Sequence, residues 1–382
     1  MDEITILIVD DSALMRNLIS RIVDGLPGTK VVGKAMNGEM ALNRLELLQP
    51  DIIILDIEMP VMTGVEFMRE RRKRNIDIPV VILSSIARKG AAVTMECLEL
   101  GASDFILKPT LSENNDLKKV AESLTEVIYS YGSAYAISKG KKIQYTDPVI
   151  AKQTVSLEKS SDNSSATILH SPFGATTKKQ DPIKALREPG PIDVIAWGIS
   201  TGGPNALREV FAKLSSKIKQ PMLVVQHMPA GFTEEFANSL DHICALTVKE
   251  ASEGDLLKSG RILIAPGNKH IVLEKKALAT IVHLSDEPVR NGHRPSVDVL
   301  FESVAKEYKN RALGIIMTGM GRDGATQLAE LRKQGSRTLG QDEKTSVVYG
   351  MPKVAWNLGA VQKQVPLQEM ADAVNELAIN YA

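Results

Sequence analysis

Short apolar runs alternate with segments of helical period in two stretches of this chain, and this alternation limits the folds open to it. In the first stretch the runs are Ile4–Val9, Val31–Ala35, Ile52–Leu55, Val80–Leu83 and Phe105–Leu107. Because these runs show no polar alternation, they are typical of parallel strands buried on both faces. The pattern predicts a doubly wound α/β domain with the strand order 2-1-3-4-5.

The alternation returns after Asp193, where "VIAW", "MLVVQ", "RILIAP" and "LGIIMTG" predict the strands of a second doubly wound α/β domain. The closely spaced runs "RILIAP", "HIVLE" and "TIVHLS" also suggest hairpins. Between the two stretches the periodicity is lost in a segment rich in Ser, Thr, Lys and Pro, which favours a flexible linker. We therefore predict a first domain over residues 1–130, a linker over 131–190 and a second domain over 191–382.

Charge and composition exclude several classes of protein. Lys plus Arg and Asp plus Glu both number 46, so no global field attracts nucleic acid, and the second domain lacks a terminal basic helix-turn-helix pattern. No apolar stretch is long enough to span a bilayer. The two cysteines, Cys97 and Cys244, lack paired or metal-like spacing. We expect a cytoplasmic protein with no nucleic-acid partner and no membrane insertion.

Carboxylates follow the first and third apolar runs of the first domain. Asp10 and Asp11 end the first run and Asp56 ends the third, on strands that are neighbours in the predicted sheet. Any one of these residues alone is better explained as a helix cap. Together they would repel one another, so the cluster favours a bound hard cation such as Mg²⁺. Ser84 and Lys108 end the next two strands, where they could hold the oxygens of a phosphoryl group transferred to Asp56.

The motifs around these positions resemble those of two-component receiver domains. They read "LIVDDS", "LDIEMP" followed by Gly64, "LSS" and "LKP", and the resemblance covers residues 1 to about 125. It implies a flavodoxin-like receiver in which a histidine kinase phosphorylates Asp56 with the help of Mg²⁺. Ser84 and Lys108 are then the switch pair.

The second domain begins with a glycine-rich turn, "WGISTGGP", that has Ser200 at its centre. Two interpretations fit this turn. It is either a nucleophile elbow, in which Gly198-x-Ser200-x-Gly202 exposes a serine hydroxyl, or a phosphate cradle of N–H groups at the start of a helix opened by Pro204. The cradle is disfavoured because the turn lacks both the P-loop lysine and the spacing of a dinucleotide site.

A serine nucleophile needs a base and a carboxylate that orients the base. His227 ends the strand expected beside the serine strand, although a lone histidine there is more often structural, and His270 and His293 are rivals. Asp323 lies in the glycine-rich turn "TGMGRDGA", where a helix N-cap is the other interpretation. The same turn could aim the Met320 N–H at an oxyanion, with Thr201 beside the nucleophile.

The chain order of these candidates separates families. The α/β-hydrolases that carry G-x-S-x-G have the order Ser, Asp, His, whereas this chain offers Ser200, His227 and Asp323. Its motifs "GISTGGP", "QHMP", "APGNKH", "NGHRPSVDVLF", "MTGMGRDGA" and "QDEKTSVVYGMP" instead resemble the catalytic domain of chemotaxis protein-glutamate methylesterases. That resemblance spans nearly the whole chain except the linker.

The resemblance implies an enzyme activated by phosphorylation of its receiver. It implies that a triad of Ser200, His227 and Asp323, with oxyanion donors at Thr201 and Met320, hydrolyses glutamate methyl esters on chemoreceptors and releases methanol. Deamidation of receptor glutamines is a further implied activity, and no cofactor is implied for ester hydrolysis. The alternative is a phosphorylation-controlled binding protein, in which the serine, histidine and aspartate are structural.

Overall fold

Each half of the chain folds around its own parallel sheet. The protein is described here by a computed structural model that covers residues 2–85, 88–109, 114–143 and 183–382. The chain divides into two units, Met1–Leu169 and His170–Ala382.

The first unit contains a five-stranded parallel sheet with the order β2-β1-β3-β4-β5, which confirms the predicted doubly wound fold. The side chains of β1, β3 and β4 are almost all fully buried, as the unbroken apolar runs predicted. The strands are β1 Ile4–Val9, β2 Thr29–Ala35, β3 Ile52–Asp56, β4 Val80–Ser84 and β5 Asp104–Leu107.

Two helices of the first unit, α1 (Ala13–Asp24) and α4 (Gly64–Lys73), begin at residues whose side chains satisfy free N–H groups. The Ser12 hydroxyl accepts from the Met15 N–H (3.3 Å) at the start of α1, and Thr63 and Glu66 form a reciprocal capping box at the start of α4. The helices of the first unit are α1 Ala13–Asp24, α2 Gly38–Leu42, α3 Leu45–Leu48, α4 Gly64–Lys73, α5 Arg88–Glu99, α6 Asn114–Val127 and α7 Ser133–Ser138, with a π-helical turn at Ile128–Gly132 between the last two.

The packed part of the first unit extends beyond the predicted boundary at residue 130. The Tyr131 hydroxyl donates to the Ser103 carbonyl (2.9 Å), and the Lys141 ammonium lies 2.6 Å from the buried Asp51 carboxylate. Residues 131–143 were predicted to be linker, and they are instead ordered by these tertiary contacts. Residues 144–182 of the predicted linker lie outside the described residues.

The second unit contains a seven-stranded parallel sheet with the order β14-β13-β12-β6-β7-β9-β8. Its central strands β12, β6 and β7 are completely buried. Of the suggested hairpins, "HIVLE" and "TIVHLS" do pair antiparallel as β10 and β11, whereas "RILIAP" supplies β9 of the main sheet. The strands are β6 Val194–Ile199, β7 Met222–Gln226, β8 Thr247–Glu250, β9 Arg261–Ile264, β10 His270–Lys275, β11 Thr280–Ser285, β12 Ala312–Ile316, β13 Arg337–Gln341 and β14 Lys363–Val365.

Helix α10 (Val297–Tyr308) of the second unit packs very close to β6, and glycines make that approach possible. A Cβ atom at Gly198 would lie 2.1 Å from Val297 Cγ1, and one at Gly324 would lie 2.3 Å from the same atom. The helices are α8 Gly203–Phe211, α9 Phe232–Asp241, α10 Val297–Tyr308, α11 Ala325–Gln334, α12 Met351–Asn357 and α13 Leu367–Asn380. Among the described residues, none of these helices combines the length and the apolar character that a membrane crossing requires.

Candidate active site

Ser200 lies in the sharp turn between β6 and α8, at the carboxyl end of a central strand. Its N–H donates to the Thr318 carbonyl (3.0 Å), and its own carbonyl accepts from the Gly203 N–H (2.8 Å). Gly202 has a φ of 79°, a backbone conformation that is strained for residues with a side chain. Pro204 follows in the first turn of α8. The backbone of the turn is therefore fixed, and the Ser200 side chain is held at the edge of the sheet.

His227 and Asp323 follow the two strands that flank β6 in the sheet. The His227 Nδ1 atom lies 3.1 Å from Ser200 Oγ, and its Nε2 atom lies 2.8 Å from Asp323 Oδ2. The structure thus brings together the three residues that the sequence singled out as nucleophile, base and carboxylate. The convergence follows from topology, because β7, β6 and β12 are parallel neighbours whose carboxyl ends share one edge.

The Asp323 carboxylate is only 1% exposed and accepts hydrogen bonds on both oxygens. Burial acts to raise its pKa, but the hydrogen bond and charge of His227, together with amide and hydroxyl donors, outweigh burial and hold this pKa well below its usual range. Asp323 is therefore an ionised acceptor. His227 must carry its proton on Nε2 and present the lone pair of Nδ1 to the serine. The donors to Asp323 are His227 Nε2, Val297 N (2.6 Å), Ser296 Oγ (2.7 Å), Asn291 Nδ2 (2.8 Å) and Asp298 N (3.2 Å).

Two predicted oxyanion donors lie in the turns beside the serine. Among the residues that the structure describes, the Met320 N–H is not used by another hydrogen bond, so it is available to a ligand. A Cβ atom at Gly319 would lie 2.6 Å from Ser200 Cβ, so glycine allows the "TGMG" turn to approach the nucleophile closely. Thr201 is anchored by its carbonyl, which accepts from Thr318 Oγ1 (2.9 Å).

The other candidate histidines take different places. His270 is buried, where its Nδ1 accepts from the Ser296 N–H (3.2 Å) and its Nε2 donates to the Pro288 carbonyl (3.2 Å). The His293 ring stacks on His227, with centroids 3.7 Å apart and an interplanar angle of 7°. Neither replaces His227 at the Ser200 hydroxyl.

Sequence reasoning missed several side chains that hold the site together. Gln226 Nε2 donates to the carbonyl oxygens of both Ser200 (3.0 Å) and His227 (3.2 Å). Asn291 and Ser296 donate to the Asp323 carboxylate. All lie in motifs that were recognised as "QHMP" and "NGHRPSVDVLF". The motifs were the available signal, but their hydrogen-bond partners depend on the fold.

The acidic cluster of the first unit forms as predicted. Carboxylate oxygens of Asp10, Asp11 and Asp56 all lie within 4.8 Å of one another. One oxygen of Asp10 accepts from the Ser12 N–H (2.8 Å) and one of Asp56 from the Ile57 N–H (2.7 Å). Burial raises the pKa of Asp56 to about 6, a rise that the Lys108 ammonium limits and the Asp10 charge increases.

Lys108 and Ser84 occupy different positions relative to this cluster. The Lys108 ammonium lies 2.7 Å from Asp56 Oδ2 and 3.0 Å from Asp10 Oδ2. The Ser84 side chain is fully buried, and its hydroxyl accepts from Thr94 Oγ1 (2.7 Å). The structure therefore brings Lys108 to Asp56 but leaves the Ser84 hydroxyl bonded to α5.

Each half of the chain matches a known protein family. Residues 6–122 match the family described as response regulator receiver domain, and residues 195–374 match the family described as CheB methylesterase. The candidate triad, Ser200, His227 and Asp323, lies within the second match, and the acidic cluster lies within the first.

Two relatives match this chain over nearly its whole length. A protein-glutamate methylesterase/protein-glutamine glutaminase of Treponema denticola is 55% identical over 382 residues, which cover 100% of each chain. A protein of the same description from Treponema pallidum is 51% identical over 394 aligned positions, which cover 98% of this chain and 97% of the relative. The chain therefore belongs to the protein-glutamate methylesterase/protein-glutamine glutaminase family of chemotaxis, in which a response regulator receiver domain precedes a CheB methylesterase domain.

Proposed function

We propose that this protein hydrolyses glutamate methyl esters of chemoreceptors, releases methanol, and is activated by phosphorylation of Asp56. The observation that carries the proposal is the hydrogen-bonded chain from Ser200 Oγ through His227 to Asp323 on three adjacent strand ends. We also propose a receiver domain over residues 2–143 and a catalytic domain over residues 183–382. The hydrogen bonds and ion pairs cited for residues before 144 lie within the first unit, and those cited for residues after 182 lie within the second.

Acylation begins with attack of Ser200 Oγ on the γ-carbonyl carbon of the methyl ester. The hydroxyl proton passes to His227 Nδ1, and Asp323 stabilises the imidazolium through Nε2–H. The negative charge on the former carbonyl oxygen is met by the N–H groups of Met320 and Thr201. When the tetrahedral intermediate collapses, the C–OCH₃ bond breaks and methanol leaves with the proton from Nδ1. The product is an ester between Ser200 and the glutamyl side chain.

Deacylation repeats these steps with water as the nucleophile. His227 Nδ1 takes one proton from the attacking water, and the same proton returns to Ser200 Oγ as the acyl bond breaks. The receptor side chain leaves as a carboxylic acid, which releases the second proton of the water to solvent and becomes a glutamate carboxylate. A receptor glutamine follows the same route with ammonia in place of methanol, so one site serves both ester hydrolysis and deamidation.

A serine-reactive phosphonate tests this assignment. It should label Ser200 in the full-length protein and abolish methanol release from a methylated receptor fragment, because the hydroxyl faces the Nδ1 lone pair of His227. Mass spectrometry of the digest locates the label. Ser215 is the internal control, since its hydroxyl accepts from the Lys217 N–H rather than facing an imidazole. Equal labelling of both serines, or full activity after labelling of Ser200, would contradict the mechanism.

The residues of the acidic cluster fit a Mg²⁺ ion. Two buried oxygens, Asp10 Oδ2 and Asp56 Oδ2, share one close partner within the described part of the chain, the Lys108 ammonium. Three carboxylates against one ammonium leave excess negative charge at a rim that is open at Asp11. We propose that Asp10, Asp11 and Asp56 hold the ion, which would neutralise charge on a transferred phosphoryl group.

Asp56 is the proposed phosphoryl acceptor, and a histidine kinase is the proposed donor. An Asp56 oxygen attacks phosphorus, the bond to the kinase histidine breaks, and the Lys108 ammonium compensates the added charge. The hydroxyl of the proposed switch residue Ser84 accepts from Thr94 Oγ1, so its own proton can turn toward a phosphoryl oxygen at Asp56. Because Thr94 belongs to α5, this reorientation supplies a local event that phosphorylation could transmit.

Phosphorylation should raise the rate of methanol release. With Mg²⁺ and a small acyl phosphate we expect about 5- to 150-fold activation, the range of typical allosteric coupling. Asp56→Asn should retain the basal rate and lose the activation, because an amide cannot accept the phosphoryl group. Asp24→Asn makes the same change at an exposed carboxylate at the end of α1 and should be activated normally. Activation that persists in Asp56→Asn would place the phosphorylation elsewhere.

A further inference from the structure

A single asparagine side chain links the Asp323 carboxylate to a second buried carboxylate. Asn291 Nδ2 donates to Asp323 Oδ1 (2.8 Å) and to Asp298 Oδ2 (2.7 Å). The amide nitrogen carries two hydrogens, so both bonds can form at the same time. Asn291 is thus placed between the candidate catalytic carboxylate and a neighbour that has no role in the triad.

The second carboxylate is a source of unfavourable charge next to Asp323. Asp298 is 4% exposed, and its Oδ1 accepts from the Gln327 N–H (3.0 Å) in the first turn of α11. Burial raises the pKa of Asp298, the Gln327 and Asn291 donors oppose the rise, and the Asp323 charge adds to it. Two buried carboxylates this close repel each other unless donors lie between them. The Asn291 amide is such a donor for both.

The backbone holds Asn291 rigidly in this place. Arg290 and His293 exchange N–H···O=C bonds of 3.1 and 3.0 Å, so Asn291 and Gly292 form a two-residue turn. Their φ angles are 53° and 83°, as expected of the type I′ turns that favour Asn-Gly. The same turn presents His293 to the His227 ring, with the two centroids 3.7 Å apart. The side chains of Asn291 and His293 therefore both contact the triad.

We propose that Asn291 is a positioning residue for the reaction: it fixes the Asp323 carboxylate so that Oδ2 faces His227 Nε2, and it shields Asp323 from Asp298. This inference rests on the proposed triad. Two charged carboxylates, Asp298 and Asp323, lie at the Asn291 amide, and the Arg290 guanidinium of the same turn acts on both of them. The titratable rings nearby are the stacked imidazoles of His227 and His293.

The informative substitution is Asn291→Asp in the full-length protein. Aspartate has the same size and tolerates the left-handed backbone, but its ionised form donates no hydrogen bond and adds a third carboxylate. We expect kcat for methanol release to fall about 10- to 100-fold, with KM unchanged, because the substrate is not touched. The ratio of variant to wild-type kcat should rise as the pH falls, since protonation of the introduced carboxylate restores one O–H donor.

A second substitution keeps the test decisive if the single variant is unstable. In Asn291→Asp combined with Asp298→Asn, the number of carboxylates equals that of the wild type, and the amide oxygen introduced by the second change can still accept from the Gln327 N–H. We expect this double variant to recover at least part of the lost kcat and of the lost thermal stability. Recovery is specific to a charge conflict among these side chains, since loss of the turn alone would not be repaired.

The matched control is Asn268→Asp, at another asparagine with left-handed backbone (φ 65°). There the side-chain oxygen accepts from Arg294 Nη2 (2.8 Å), so a carboxylate keeps the bond and kcat should not change. Wild-type kcat in Asn291→Asp, or a loss that neither lower pH nor Asp298→Asn relieves, would overturn the positioning role. Activity retained by Ser200→Ala would instead show that the triad itself is wrong.

Discussion

Replacing Ser200 by alanine should lower kcat for methanol release by about 10⁴-fold or more. The hydroxyl is the only part of the side chain that is lost, and it is the atom group that faces His227 Nδ1 at 3.1 Å. Without it, His227 could only activate water for direct attack on the ester, with no covalent intermediate. The oxyanion donors would still act, so a small residual rate above the uncatalysed reaction is expected.

The Ser200→Ala protein should remain folded, and its receiver domain should still accept a phosphoryl group. The Ser200 backbone carries the bonds to Thr318 and Gly203, and these do not involve the hydroxyl. Thermal unfolding and phosphorylation from a small acyl phosphate should therefore match the wild type. Ser215→Ala removes a hydroxyl from the same domain, away from any imidazole, and should keep the full rate. If Ser200→Ala released methanol within tenfold of the wild type, a mechanism with another nucleophile would be required.

The placement of the triad could be predicted because it depends on a general property of parallel sheets. Ser200, His227 and Asp323 each follow an apolar run, and runs that form adjacent parallel strands end at one edge. The same rule predicted the convergence of Asp10 and Asp56 in the receiver. These predictions needed only the strand positions and a plausible strand order.

The orientation of the histidine ring could not be predicted in the same way. The orientation determines which ring nitrogen contacts Asp323. It depends on the hydrogen-bond donors at the start of α10 that fix the Asp323 carboxylate. Val297 N reaches Asp323 Oδ2 because Gly198 and Gly324 let α10 pack against their backbones. Such contacts join residues far apart in sequence, and no local pattern encodes them.

The boundary of the first domain was misplaced for a related reason. Residues after Val127 read "IYSYGSAYAISKGKKI", a stretch of small and polar residues that resembles the start of a linker. In the structure Ala136 is fully buried, and the Tyr131 hydroxyl donates to the Ser103 carbonyl (2.9 Å). A close approach of Gly132 to Ile4 completes this packing. Burial against the sheet thus outweighs a composition that is typical of a flexible segment.

Replacing Asp323 by asparagine should also lower kcat for methanol release by about 10⁴-fold, through the state of His227 rather than the loss of a nucleophile. In the wild type the carboxylate accepts from Nε2–H, which leaves the Nδ1 lone pair for the Ser200 proton. An amide NH₂ placed toward His227 would donate to Nε2 instead. The proton of the neutral ring would then sit on Nδ1 and face Ser200, where it cannot accept.

The hydrogen-bond donors around Asp323 make Asp323→Asn destabilising in either orientation of the amide. With NH₂ in the position of Oδ2, it opposes the Val297 N–H (2.6 Å). With NH₂ in the position of Oδ1, it opposes Asn291 Nδ2 (2.8 Å) and the Asp298 N–H (3.2 Å). Either placement sets donors against donors in a buried site, so a lower unfolding temperature should accompany the loss of activity.

The pH dependence of kcat separates the loss of activity in Asp323→Asn from its loss of stability. Because the pKa of Asp323 lies well below its usual range, protonation of this carboxylate cannot contribute to the acid limb of the wild-type profile. The Asp323→Asn enzyme should regain rate at high pH, where hydroxide can remove the serine or ring proton without the base. Asp241→Asn is a suitable control, since an amide oxygen there can still accept from the Val248 N–H (2.7 Å). An Asp323→Asn enzyme that kept kcat within tenfold at neutral pH would show that ring orientation is set by the His293 stack and not by the carboxylate.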